Sequence, residues 1–161
     1  MPRVGIRTSV VWRAPSAWPG EVTLAHVIDR LLTALNAHDL EAAAALFDEN
    51  YHSEQPAHPS RTFVGRAQMH ANWKAMFAGI PDFRALLPRS VQDGDSIWSE
   101  WIWLGTRRDG LPFEVRGVTV FQIEDDLIVA GSLYMEDVEP VPVGIEQAVQ
   151  ELSGQRPQGE I

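Results

Sequence analysis

The sequence contains no cysteine. Disulfide bridges, thiolate nucleophiles and cysteine-ligated metal sites are therefore excluded. It also lacks any apolar run that approaches the roughly 18 residues of a membrane-spanning helix. In the N-terminal stretch MPRVGIRTSVVWRAPSAWPG, Arg3, Arg7 and Arg13 interrupt the apolar residues, so the uninterrupted centre of a secretory signal is missing. We expect a cytoplasmic protein with no membrane partner.

Basic residues are scarce as well. The 161 residues include 13 Lys and Arg against 22 Asp and Glu, which gives a formal net charge of −9. A nucleic-acid-binding domain normally presents a basic stripe, whereas the basic residues here are scattered, so we expect no nucleic-acid partner. The length indicates one domain, and a hydrophobic content of 45% is typical of a globular protein.

Helical spacing dominates the first half of the chain. In TLAHVIDRLLTALNAHD, Leu31 and Leu35 recur along one face, which predicts a helix that ends at Asn36-Ala37-His38. Asp39 suits the N-cap of a second helix, LEAAAALFDEN. YHSEQP (51–56) is a short strand candidate, and RAQMHANWKAMFAGI predicts a third helix that Pro81 closes.

The hydrophobic period then changes to two. Turn-forming residues separate four strand candidates, at residues 83–91, 96–106, 113–123 and 127–137. Helices followed by a run of antiparallel strands predict an α+β fold. We therefore expect an N-terminal arm that is partly disordered (1–21), one α+β domain (22–153) that ends in a short helix at 144–152, and a disordered tail (154–161).

Three stretches carry a resemblance to a known family: LLTALNAHDLEAAAALFDENYHSEQP, FVGRAQMHANW and VRGVTVFQIEDDLIVAGSLYMED. In this order the chain resembles the nuclear transport factor 2-like superfamily over residues 23–138. It is most similar to the SnoaL-like polyketide cyclase and ketosteroid isomerase-like branch. The resemblance implies a cone-shaped α+β barrel, in which a curved antiparallel sheet wraps around three N-terminal helices. It also implies an apolar pocket at the wide end and a homodimer.

The catalytic positions that the resemblance implies hold other residues here. Ketosteroid isomerases use a tyrosine and two carboxyl groups, one as base and one as donor, where this chain has Leu31, Gln55 and Thr119. The Asp–Arg–Asp set of limonene-epoxide-hydrolase relatives maps onto Trp101, Trp103 and Leu133. SnoaL-type cyclases place an aspartate and a polar helper at positions that correspond to Leu133 and Thr119. Steroid isomerisation by the usual mechanism is therefore not expected.

Three ionisable residues remain as candidate catalytic groups: His52, His70 and Asp137. Histidine is well tuned for acid–base work near neutral pH. By alternation His52 shares the outer face with Glu54 unless a bulge near Pro56 reverses it. His70 lies one helical turn before Trp73 and two before Phe77, and Asp137 is either an acid at the pocket rim or the end of a strand. For the two histidines the sequence favours a solvent-facing role, whereas for Asp137 it favours neither reading.

The predicted substrate-binding residues are mostly apolar, with a few polar groups among them: Gln55, Trp73, Phe77, Trp101, Trp103, Thr119, Phe121, Leu133 and Met135. The same side chains would also make an ordinary core. The histidine spacing 52, 58 and 70 matches no familiar zinc pattern. We expect no metal and no cofactor.

The hexapeptide WSEWIW (98–103) holds three of the six tryptophans. Alternation along a strand puts Trp101 and Trp103 on one face and Trp98, Ile102 and Leu104 on the other. The resemblance turns the first face toward the pocket, which leaves an apolar outer stripe suited to a homodimer interface.

Two functions follow from these patterns. One is an enzyme of the SnoaL-like type that carries out cofactor-independent acid–base chemistry on a small apolar, carbonyl-bearing metabolite, as a cyclase, isomerase or dehydratase does. The other is a non-catalytic module of the same fold that binds a small molecule or dimerises. An ionisable group inside the cavity would favour the first.

Overall fold

The computed structural model describes residues 25–157. The predicted arm at residues 1–21 lies outside the described residues, as do residues 158–161 of the predicted tail. Between these limits the chain forms, in order, α1 (Ala25–Asn36), α2 (Leu40–Ala44), β1 (Phe47–Glu54), a short 3-10 turn (Pro59–Arg61), β2 (Phe63–Val64), α3 (Arg66–Gly79), β3 (Arg84–Asp93), β4 (Ser96–Thr106), β5 (Pro112–Glu124), β6 (Leu127–Asp137) and α4 (Ile145–Ser153).

The strands form one open sheet in the order β2-β1-β6-β5-β4-β3, and three helices precede β3, so the predicted α+β architecture is confirmed. Register shifts in the β1–β6, β3–β4 and β5–β6 pairings mark bulges, which bend a sheet. The pairing is antiparallel throughout except between β1 and β6, which run parallel. A parallel pair needs a long connection. Here the chain segment from β2 through α3 to β5 forms it.

Asn36, the last residue of α1, and Asp39, which precedes α2, fix the ends of these helices. The Asn36 side chain donates to the Ala85 carbonyl at 3.0 Å and accepts from the Ala85 amide at 2.8 Å, so the end of α1 is fixed to the edge strand β3. Asp39 accepts from the Ala42 amide at 2.9 Å, which confirms it as the N-cap of α2. The apolar face of α1, including Ile28 and Leu35, is fully buried against the sheet.

The second helix is shorter than predicted, and the first strand begins earlier. The sequence favoured a helix over 40–50 and a strand over 51–56, whereas α2 ends at Ala44 and β1 starts at Phe47. The Asp48 side chain accepts from the Asn50 amide at 2.8 Å, a local bond that competes with helix formation. Phe47 also pairs with Ile128 of β6, so tertiary pairing outweighs the helical preference of the alanines.

Gly117 lies at a close approach between β5 and β6. It lies opposite Trp101 on β4 and Met135 on β6, with a φ of +156°. A Cβ atom on this residue would lie 1.9 Å from the Tyr134 carbonyl oxygen. Only glycine allows this approach of backbone to backbone, so Gly117 contributes to the curvature that encloses the inner face.

The C-terminal helix α4 agrees with its prediction and contributes no buried side chain. No helix within residues 25–157 has the length and apolar character that spanning a membrane requires.

Candidate functional site

A cavity of about 220 Å³ lies between the helices α1 and α3 and the concave face of the sheet. Its lining is mainly apolar and aromatic, and it comes from seven elements: α1, β1, β2, α3, β4, β5 and β6. The lining residues are Leu31, Leu35, Phe47, Tyr51, Ser53, Gln55, Phe63, Met69, Asn72, Trp73, Met76, Trp101, Trp103, Thr119, Phe121 and Leu133.

The alternation predicted for WSEWIW agrees with the structure. Trp101 is 1% exposed and Trp103 is partly buried, and both line the cavity. Trp98 faces outward and is 52% exposed. The Trp101 indole donates to Thr119 Oγ1 at 3.0 Å, so its polar atom is satisfied within the wall. Trp103 Nε1 is buried and finds no hydrogen-bond partner among the described residues.

An aromatic cluster closes one side of the cavity. Trp73 of α3 packs edge-on against Trp103 and against Phe83, with ring centroids 5.3 Å apart in both pairs. Such edge-to-face contacts stabilise aromatic pairs beyond their buried area. The cluster therefore holds the Trp73 and Trp103 rings in defined positions in the wall.

Seven of the nine predicted substrate-binding residues line this cavity: Gln55, Trp73, Trp101, Trp103, Thr119, Phe121 and Leu133. The other two, Phe77 and Met135, are not part of its wall. Phe77 stacks on the His38 ring at 4.5 Å, nearly parallel to it, because it lies one turn beyond Trp73 on α3. Met135 is a buried core residue.

The three candidate catalytic residues lie outside the cavity wall. His52 is exposed on the outer face of β1, because the bulge in this strand falls before His52 and not near Pro56. His70 turns away from the sheet and bonds to Glu41 at 2.9 Å. Asp137 is exposed at the end of β6, where it pairs with Val115. Their catalytic roles stay untested predictions, and the geometry does not bring them together.

Besides the indole N–H groups of Trp101 and Trp103, five lining residues supply polar groups: Tyr51, Ser53, Gln55, Asn72 and Thr119. Gln55 Oε1 accepts from the Arg61 guanidinium at 3.1 Å, which orients its amide. Among the described residues, those that line the cavity include no Asp, Glu, His, Lys or Arg. The wall therefore offers hydrogen bonds without fixed charge. Within residues 25–157, no three His, Asp or Glu side chains are grouped closely enough to hold a metal ion.

Among the described lining residues, Tyr51 is the acidic group. Burial raises its pKa to about 12, partly opposed by the neighbouring Ser53 hydroxyl. Tyr51 is 3% exposed, and a phenolate in such surroundings would lose its hydration. Near neutral pH the residue is therefore a hydrogen-bond donor and not a base.

This pKa predicts that the protein loses stability at alkaline pH. An exposed tyrosine titrates near pH 10, so between about pH 10 and 12 the unfolded chain releases a proton that the folded chain retains. The protonated Tyr51 makes its full contribution to the free energy of unfolding below about pH 10. Up to roughly 2.7 kcal/mol of this free energy is lost by about pH 12. Tyr51→Phe should remove this component from the pH dependence of urea unfolding.

The chain offers a direct control for this prediction, since it contains only two tyrosines. In Tyr134→Phe, Tyr51 is the single tyrosine, and its ionisation can be followed by near-ultraviolet absorbance. We expect a midpoint near 12 in the folded protein. A midpoint near 10, at a pH where the fold is intact, would contradict the assignment.

Sequence reasoning did not select several wall residues. Tyr51 and Ser53 share the inward alternation of Gln55, so period-two alternation along β1 is the signal that identifies them. Met69, Asn72 and Met76 follow helical spacing with Trp73 on α3, and this spacing alone does not separate cavity wall from core. Phe63 belongs to a two-residue strand, which is too short to leave a periodic signal.

Comparison with known proteins gives the same fold. A family model described as a SnoaL-like domain matches residues 28–131, and no curated protein matches. Among solved structures, IdmH of Streptomyces antibioticus, a candidate polyketide cyclase, is 23% identical with a TM-score of 0.59; the match covers 71% of this chain and 91% of IdmH.

Two further structures are similar. A candidate ketosteroid isomerase from Kribbella flavida is 21% identical with a TM-score of 0.60, over 85% of this chain and 91% of that one. A Mycobacterium tuberculosis protein in complex with estradiol-17β-hemisuccinate is 18% identical with a TM-score of 0.61, over 69% of this chain and 92% of that one. At these identities the likeness concerns the fold and does not identify the chemistry of the cavity.

Proposed function

The chain belongs to the SnoaL-like domain family, and we propose that its cavity binds a small, uncharged, mainly apolar molecule that carries a carbonyl or a similar hydrogen-bond acceptor. The observation that carries this proposal is the composition of the wall. Apolar rings surround a few neutral polar groups, and the described lining residues bear no fixed charge.

The wall favours an uncharged ligand for an energetic reason. A charge that is moved from water into an apolar site loses its hydration and needs an opposite charge as compensation, and the described lining residues supply none. A carbonyl oxygen needs only a donor, and the protonated Tyr51 hydroxyl provides one. At about 220 Å³ the cavity is smaller than the roughly 300–1,000 Å³ pockets of drug-sized ligands, which favours a compact ligand.

The fold is compatible with small-molecule binding in general. The similar Mycobacterium tuberculosis protein was solved with estradiol-17β-hemisuccinate, and IdmH is a candidate polyketide cyclase. We favour binding over acid–base catalysis, because His52, His70 and Asp137 lie outside the wall. A catalytic version of the site would rest on Tyr51, which can stabilise negative charge that develops on a carbonyl oxygen.

The test compares 1-indanone with indane, its analogue without the carbonyl, by quenching of tryptophan fluorescence. We expect the wild type to bind both compounds. After correction for the free energy of removing the ketone carbonyl from water, the affinity for 1-indanone should exceed that for indane. Leu133→Phe adds bulk to the wall and should weaken binding at least about tenfold, or about 1.4 kcal/mol. Leu104→Phe, on the outer face of β4, is the matched control and should bind like the wild type.

The same samples separate binding from catalysis. Exchange of the α-hydrogens of 1-indanone with deuterium from heavy water reports enolisation and is followed by NMR. We expect the protein to leave the exchange rate unchanged. Exchange that the wild type accelerates and Tyr51→Phe does not would establish the enzymatic alternative. If neither compound binds, the proposal is refuted.

We also propose a homodimer through the outer face of the sheet. Trp98 is flanked on this face by Leu86, Val91 and Tyr134, which are 37–64% exposed. Val91 is the cross-strand partner of Trp98. Ile102 and Leu104 lie on the same face of β4, beyond Glu100, which forms an ion pair with Arg89. Exposed apolar side chains that are grouped on one face are typical of interaction sites.

A further inference from the structure

The cavity has a neighbour on the outside of α3. An open groove lies between this helix and the β4–β5 turn, and its wall contains Asn72, Ala75, Met76, Gly79, Ile80, Arg107, Arg108, Asp109 and Phe113. Two of these residues, Asn72 and Met76, also line the cavity. The two spaces are therefore separated at this point by the thickness of one or two side chains.

Met76 is the apolar member of this partition. It is partly buried and packs against the core, and it continues the α3 face that carries Met69 and Trp73 toward the sheet. Methionine is unbranched and flexible at three bonds, so its side chain can change rotamer with little cost. Asn72, the other shared residue, is exposed, and its Oδ1 accepts from Gln68 at 2.8 Å.

The turn on the far side of the groove is held in place. The Arg107 amide donates to the Leu111 carbonyl at 2.9 Å, the Arg107 and Asp109 side chains form an ion pair at 3.0 Å, and Arg108 bonds to the Ala78 carbonyl. These contacts fix the turn against the end of α3. The groove is consequently a feature of the fold, with Ile80 and Phe113 as its apolar floor.

We propose that Met76 is a gate between the two spaces, and that the site takes an elongated molecule with a compact apolar head in the cavity and an alkyl chain that passes Met76 into the groove. This inference rests on the proposed function and adds the shape of the ligand to it. Each methylene that leaves water on this path contributes roughly a fourfold gain in affinity. Met76 would then determine how long a chain the protein accepts.

The experiment uses phenyl alkyl ketones of increasing chain length: acetophenone, butyrophenone and hexanophenone. Dissociation constants come from quenching of tryptophan fluorescence, and the readout is the affinity of hexanophenone relative to acetophenone. We compare Met76→Ala with Met69→Ala. Both substitutions delete the same side chain from the same helix and enlarge the same cavity, but only Met76 also borders the groove.

Met76→Ala should raise this ratio about tenfold over the wild type, because it opens the passage. Met69→Ala should change the affinity of both ketones together and leave the ratio within about twofold. If the affinity of hexanophenone relative to acetophenone is the same in both variants, the proposed role of Met76 is wrong. Failure of the wild type to bind any of the three ketones would refute the proposed function itself, so the two failures are distinct.

A second variant covers the case in which Met76→Ala does not fold. Ala75 is exposed on α3 and lines the groove but not the cavity, so Ala75→Trp fills the groove without disturbing the core. We expect hexanophenone to lose roughly tenfold in affinity while acetophenone binds as before. Unchanged binding of hexanophenone would show that its chain does not enter the groove.

Discussion

Replacement of Trp101 with alanine should destabilise the protein by about 3–5 kcal/mol, the range for deletion of a fully buried aromatic side chain. Trp101 is 1% exposed, so the substitution leaves a cavity in the wall and also removes the hydrogen bond that its indole donates to Thr119. The free energy of unfolding is measured by urea denaturation. A marginally stable domain of 5–15 kcal/mol would lose a large part of its stability.

Trp98→Ala is the matched control, since it removes the same side chain three residues earlier on the same strand. Trp98 is 52% exposed, and surface substitutions usually change stability by no more than about 0.5 kcal/mol. Unfolding is measured at several protein concentrations. The cost of Trp101→Ala should not depend on concentration, whereas any larger effect of Trp98→Ala should disappear on dilution. Equal costs for the two variants would contradict the assignment of their faces.

Trp98→Glu should convert a dimer to a monomer. A carboxylate that is buried in the interface would be desolvated, at a cost of several kcal/mol, and each copy of a symmetric dimer would introduce one. Truncation of a buried tryptophan at an interface typically costs 2 kcal/mol or more. We therefore expect a dissociation constant at least about 100-fold weaker, measured by sedimentation equilibrium.

Leu111→Glu serves as the control for this variant. Leu111 is 57% exposed and precedes β5, in the turn that follows β4 and away from the apolar outer face. The same change of charge at this position should leave the oligomeric state as in the wild type. If the wild type sediments as a monomer, the proposed interface is wrong.

The cavity wall differs from that of related enzymes at the positions of their catalytic residues. This neutral wall places Trp101, Trp103 and Leu133 where the resemblance implies charged residues in related hydrolases. The described lining residues thus form an enclosing wall without Asp, Glu or His. Tyr51 is the titratable side chain among them, and it retains its proton because burial raises its pKa to about 12.

Much of the fold could be predicted from the sequence because its determinants are local. Helical spacing located α1 and α3, period-two alternation located β3 to β6 to within two residues of their observed ends, and the Asp39 cap lay where its side chain type predicted. Alternation also sorted Trp98 from Trp101 and Trp103, because neighbouring side chains on a strand point to opposite faces. These features depend on residues that are adjacent in sequence.

Only the tertiary structure decided the boundary between α2 and β1, the parallel pairing of β1 with β6, and the composition of the cavity. The alanine-rich segment by itself favours a helix. The pairing of Phe47 with Ile128, which is 81 positions away in the chain, ends that helix and starts β1. Alternation had already placed His52 on the outer face, and the structure added that no bulge near Pro56 reverses it. A contact with Glu41 and a strand end set the directions of His70 and Asp137. Pairings between distant residues set the strand boundary, the parallel pairing and the position of the bulge, and periodicity in one segment carries no information about them.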